Sequence, residues 1–216
     1  MIVQRAWAEL RADPARLGML GMLGAGYFVA TVVVLHLVES EFDPVDHYIS
    51  DYAVGDFGFL MRSAFFAAGI GTLALARGFS ISLAPGRRAR SAIILITVAG
   101  VGFLVAGAFN GNVADEAGEI EYTAAGIVHT IAGVLLFFSL TIAAFLLRGV
   151  FARDARWAAL SRSELWFAIA LFVALAWGFA TPEGGPVGVP QRVFAAILMG
   201  WLIFLGSRLR RLTATP

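Results

Sequence analysis

The sequence predicts an all-α fold: an integral membrane bundle of six transmembrane helices, with a short amphipathic outer helix between spans one and two. Three observations carry this. Of 216 residues, 59% are apolar and 14% charged, against about 45–50% and about 25% in soluble domains. The apolar residues fall into six runs, each near the roughly 20 residues that cross a bilayer core of about 30 Å. The segments between the runs alternate in charge. A soluble fold of this length has no interior for so much apolar surface. The same composition excludes disorder, a coiled coil and a disulfide scaffold.

Residues 1–216 are read as a single transmembrane domain with spans near 17–38, 58–79, 91–113, 122–147, 165–182 and 191–208. Span one is an apolar run of 22 residues, Leu17–Val38. That is longer than a signal-peptide core, and no A-x-A site follows, so the span is read as uncleaved. Span two carries Arg62 near its start. Close helix packing is expected from small residues, which let backbones approach where lipid gives no hydrophobic drive. Gly18, Gly21, Gly24 and Gly26 lie in span one, and Ala64, Ala67, Ala68 and Gly71 in span two. Gly107 and Gly111 follow in span three, and Ala125, Gly126, Ala132 and Gly133 in span four.

Arginine sets the expected orientation. All basic residues are arginine, and 14 of the 16 lie in the N-terminal segment, the links after spans two and four, and the C-terminus. An even number of spans puts these on one side. The opposite side holds 11 of the 15 acids. The expectation is a multi-pass protein of the cell (plasma) membrane with both termini cytoplasmic. Trp7, Trp157 and Trp166 suit the inner aromatic belt, and Tyr48, Tyr52 and Tyr122 the outer one.

Candidate chemistry is confined to the outer rim. In the link Glu39–Phe57, Asp43 suits an N-cap and Pro44 a first helical position. On the helix this predicts, Val45, Tyr48, Ile49 and Tyr52 share one side. Asp46, His47, Ser50 and Asp51 share the other, with His47 and Asp51 four apart and therefore neighbours. That polar face lies either in water or over a cavity in the bundle. His36 lies near the outer end of span one. His129 lies roughly 10 Å into span four, among Ala125, Ala132 and Gly133. An ionisable group at that depth marks a functional site unless it is held by a neighbouring carbonyl or by Asn110. Asn110 and Asn112 end span three, and Asp115 opens the next link. Arg62 and Arg192 are the arginines on the acidic side. Each is expected to meet an outer carboxylate or a lipid phosphate.

With no cysteine in the chain, thiolate metal sites and thiol nucleophiles are excluded. No Walker A and no G-x-G-x-x-G after a strand is present, so nucleotide binding has no support. The arginine clusters are explained by topology, so nucleic-acid binding has none either. The cofactor is open, with zinc as the candidate.

Two functions compete. One is a membrane protein binding a lipid or small solute, or serving as an accessory subunit, through Asn110, His129 and Arg192 with Asp51 and Asp115. The other is a zinc-dependent membrane hydrolase of a lipid-like amide or ester. There His36, His47 and His129 are the ligands, with Ser50, Asp51 and Asp115 as catalytic groups. Membrane lipids are the expected partners; the oligomeric state is open.

The run Asp43-Pro44-Val45-Asp46-His47-Tyr48-Ile49-Ser50-Asp51, with Gly55 after it, resembles the opening of a prokaryotic six-span family catalogued as domain of unknown function 998. Asp115 with Gly126-Ile127-Val128-His129, and Gly188 to Arg192 with Trp201, resemble its other landmarks. The resemblance implies a membrane fold, no settled activity, and one set comprising Ser50, Asp51, Asp115, His129 and Arg192. The residue types are also similar to those of the membrane hydrolases related to alkaline ceramidases and adiponectin receptors. Their H-x-x-x-H pair is absent here.

Overall fold

The computed structural model describes residues 13–113, 121–182 and 184–213, with Leu212 and Thr213 described by backbone alone. Its long helices are α1 (Pro14–Val38), α2 (Gly58–Ser82), α3 (Arg87–Ala108), α4 (Ala124–Phe151), α5 (Ser161–Ala180) and α6 (Gly188–Thr213). Short 3-10 helices span Ile49–Val54 and Ala158–Leu160. Among the described residues there is no strand. Six helical segments are long and apolar enough to cross a membrane, and the protein is a multi-pass membrane protein.

Each helix packs on the next in sequence, and α6 closes on α1. Residue 13 and residue 213 therefore share one rim, here the terminal rim; the link between α1 and α2 lies on the far rim. Glycine makes the closest approaches. A Cβ at Gly24 of α1 would collide with the Ala67 carbonyl of α2. A Cβ at Gly18 would reach within 2.5 Å of the Gly206 oxygen of α6. Helix α2 is the most enclosed of the six and the α5 segment the least.

Helix ends follow local capping. Asp13 accepts from Ala15 N at 2.9 Å, and Pro14 takes the first position of α1. Thr123 caps α4 through Gly126 N at 3.0 Å, and Asn112 accepts from Thr123 N and Oγ1, both at 3.0 Å.

The boundaries depart from expectation where polar groups are buried. Helix α3 ends at Ala108, five residues before the expected 113, and its last carbonyls turn to His129. Helix α5 starts at Ser161 and takes in Glu164, which is fully buried and accepts from Trp201 Nε1 at 2.9 Å. Two aromatics also depart. Trp157 is buried against Phe151 at 4.8 Å in a stacked pair, and Tyr52 is buried under the far rim. Trp166 and Tyr122 are exposed, as belt residues are; Trp7 lies outside the described residues.

Candidate functional site

The link between α1 and α2 is folded down onto the bundle. Glu39 ends α1, is buried, and accepts from Phe57 N at 2.6 Å. Its carboxylate lies over Gly55, where a Cβ would come within 2.5 Å of it. Asp43 does start a turn: Oδ1 accepts from Val45 N at 2.7 Å, and its carbonyl from His47 N at 2.9 Å.

The expected α-helix from Asp43 to Tyr52 does not run through. Tyr48 is extended, with φ −69° and ψ 154°, and a tighter 3-10 helix begins at Ile49. The physical reason is that side chains take the backbone donors. Tyr48 N donates to Asp51 Oδ2 at 2.8 Å, and Ile49 N to Gln191 Oε1 at 2.6 Å. Ile49, Asp51 and Tyr52 are buried, while Val45 and Tyr48 are exposed.

His47 and Asp51 are neighbours, with Nδ1 3.5 Å from Oδ2. Burial pushes the Asp51 carboxyl above its ordinary value; the Tyr48 N–H, His47 and Arg192 oppose the shift. Tyr48 is also raised, by burial and by the Asp51 charge.

Arg192 joins α6, α1 and the link. Its Nε donates to His36 Nε2 at 2.9 Å. Nη1 donates to the His47 and Gly188 carbonyls, and Nη2 to the Tyr52 hydroxyl at 3.2 Å. The guanidinium also lies 5.7 Å from the Tyr52 ring centre. An arginine has no acceptor, so His36 Nε2 carries the lone pair. Its Nδ1–H donates to Val32 O at 2.5 Å, which makes His36 a neutral imidazole of one tautomer.

The carboxylate partner expected for Arg192 is replaced by this imidazole, a phenol and two carbonyls. Arg62 is exposed, and its side chain has no ion pair or hydrogen bond among the described residues. Gly188 lets α6 approach. Its N–H donates to Val45 O at 2.9 Å, and a Cβ there would land on the Pro44 and His47 carbonyl oxygens.

His129 stands apart from this group. It is buried, its Nδ1 lies 2.8 Å from Phe109 O and 3.2 Å from Ala106 O, and its ring meets Phe65 edge-on at 6.0 Å. Two carbonyls facing Nδ1 require a proton there, so His129 is held by neighbouring carbonyls and not by Asn110. Asn110 Oδ1 is buried with no hydrogen-bond partner among the described residues. Asp115 lies outside the described residues. Among the described residues no three His, Asp or Glu are grouped to hold a metal ion; His36 and His47 gather around Arg192, and His129 does not join them.

Beside the Arg192 group is a cavity of about 350 Å³ between α4, α5 and α6. Phe28, Phe65 and Phe103 close its inner side, and Phe137, Phe194 and Leu198 line its length. Its hydrogen-bonding groups come from residues near the far rim: Tyr48, Ser50, His129, Thr130 and Gln191. Val134 and Phe179 line it and are also exposed on the lipid-facing surface. Gly133 and Gly178 line it, and a Cβ at either meets no atom within 4 Å. The close packing expected at Gly133 is therefore absent, and the small residue borders a hollow instead.

Sequence reasoning missed Gln191, Tyr52 and Thr130 in the site. Gln191 had one visible signal, a polar residue beside Arg192 at the mouth of a span. No curated protein and no solved structure matches the chain. The family model described as "Protein of unknown function (DUF998)" matches residues 22–208, from α1 almost to the end of α6, and the chain belongs to that family.

Proposed function

We propose that the protein binds a lipid-like amphiphile in the cavity between α4, α5 and α6. The observation that carries this reading is the cavity itself: apolar along its length, reaching the lipid-facing surface, with uncharged hydrogen-bonding groups near the far rim. Ligand sites are concave, largely apolar and carry a few placed polar groups. The polar end of the ligand meets Ser50, Thr130, Gln191 and the His129 ring. It is uncharged, because Arg192 and Asp51 are already engaged inside the far rim.

The arginine asymmetry supports a cell-membrane orientation with both termini cytoplasmic, so the ligand enters from the outer leaflet. The zinc-hydrolase reading draws no support from the described residues, since its three histidines do not gather.

The test is lipid extraction and mass spectrometry on detergent-purified protein, wild type against Gly133→Leu and Gly178→Phe. Both substitutions fill open space, so folding is expected to survive. A species enriched over bulk lipid in the wild type, and lost in both variants, is the expected result. Equal content in all three overturns the reading.

A further inference from the structure

The terminal rim carries a second concavity, of about 450 Å³. It lies between the α2–α3 link (Ala84, Pro85, Gly86), the first turn of α3 (Arg87, Arg88), the last turn of α4 (Gly149) and the start of the α4–α5 link (Arg153, Asp154). Three arginines converge on it from two elements. Among the described residues, none of Arg87, Arg88 and Arg153 has a side-chain hydrogen bond or ion pair.

The one acid lining it, Asp154, is spent. Arg156 grips both its oxygens, Nε to Oδ1 at 3.1 Å and Nη2 to Oδ2 at 2.8 Å. The Arg156 guanidinium also donates to Ser82 O at 2.8 Å, pinning the α4–α5 link to the end of α2. Among the described residues, the basin therefore keeps the positive charge of three arginines with no counter-charge.

Two features shape it for an anion. Gly86 caps α3 without a side chain, so no side chain serves the N–H groups of the first turn; those groups carry the positive end of the helix dipole. Gly149 allows the Arg88 guanidinium to lie over α4, since a Cβ there would stand 3.2 Å from Nη1. Fork-shaped guanidinium groups match phosphate oxygens in geometry and charge. Arg87 and Arg88 open α3 and Arg153 follows the end of α4, and the ends of membrane-crossing helices are where a bilayer presents its phosphates.

The geometry points to a binding site for the phosphate of an anionic phospholipid in the leaflet on the terminal side. This site is separate from the far-rim cavity and independent of what that cavity holds. It goes beyond the topological role of arginine, which needs charge on this side but no convergence and no hollow.

The test is native mass spectrometry of the full chain titrated with phosphatidylglycerol or phosphatidylcholine, with inorganic phosphate as competitor. Three variants are compared. Arg87→Gln/Arg88→Gln/Arg153→Gln removes the basin charge. Arg16→Gln/Arg77→Gln/Arg162→Gln removes equal charge elsewhere on the same rim. Gly149→Val keeps every charge and fills the floor.

The expected result is saturable phosphatidylglycerol binding, weakened at least about tenfold by the basin triple and by Gly149→Val, and little changed in the control triple. An equal fall in both triples overturns the site in favour of general surface charge. Binding of inorganic phosphate with no preference for phosphatidylglycerol over phosphatidylcholine overturns the lipid as its source. Unfolding temperature is measured for each variant. If the basin triple fails to fold, Gly149→Val decides alone: unchanged phosphatidylglycerol binding there overturns the proposal.

Discussion

Asp51 is the residue at which burial and hydrogen bonding oppose each other most plainly. It is 6% exposed, yet accepts from Tyr48 N and lies beside His47. Its pKa is raised, with burial the first cause. The folded chain therefore holds this proton to higher pH than the unfolded chain does. The stability contributed by Asp51 is fully present below the ordinary carboxylate range and is lost as pH rises through the raised value. Thermal unfolding followed from about pH 4 to about pH 7 is expected to fall in the wild type. The fall is expected to be smaller in Asp51→Asn, which keeps an acceptor for the Tyr48 N–H. An identical slope in both proteins assigns the effect to another group.

The junction between α6 and the α1–α2 link shows how one element fixes another. Gly188 has no room for a methyl group, because the Pro44 and His47 carbonyl oxygens already fill that space. Gly188→Ala is expected to destabilise the detergent-solubilised protein by about 1–3 kcal/mol, as overpacking does. Gly200→Ala on the same helix, where a Cβ meets nothing within 4 Å, is expected to be neutral or mildly stabilising, since alanine favours helix. Denaturant titration of the pair checks this, and equal effects refute the role of the junction.

The same junction marks the limit of what the sequence made legible. The six spans could be read because a bilayer imposes length and apolarity on every crossing segment. The ends of α3 and α5 could not, since Glu164 and the carbonyls serving His129 are satisfied by distant partners. The site was legible as residue types and not as a constellation. Ile49 meets Gln191 across 142 positions and His36 meets Arg192 across 156, and no local periodicity encodes such pairs. Tyr52 reads as an interfacial aromatic by composition, and only packing turns it inward.

On the scale of the whole molecule, two rims with different chemistry are joined by an apolar shaft. At the far rim Glu39, Asp51 and Arg192 are engaged internally, whereas Arg87, Arg88 and Arg153 at the terminal rim have no ionic partner among the described residues. The chain contains no cysteine, so single introduced cysteines report orientation without background. Tyr122→Cys is expected to react with a membrane-impermeant maleimide in intact cells, and Arg162→Cys only after lysis; the reverse pattern overturns the orientation read from arginine.

The ring of helices also has an order of manufacture. The ribosome makes His36, Tyr52 and the carbonyl of His47 long before Arg192, the group that binds all three. Until the final helix is in place, the hairpin of α1 and α2 lacks the guanidinium that joins these groups. A chain truncated before residue 188 is therefore expected to be degraded faster in cells than one that includes Arg192, which a pulse-chase comparison checks.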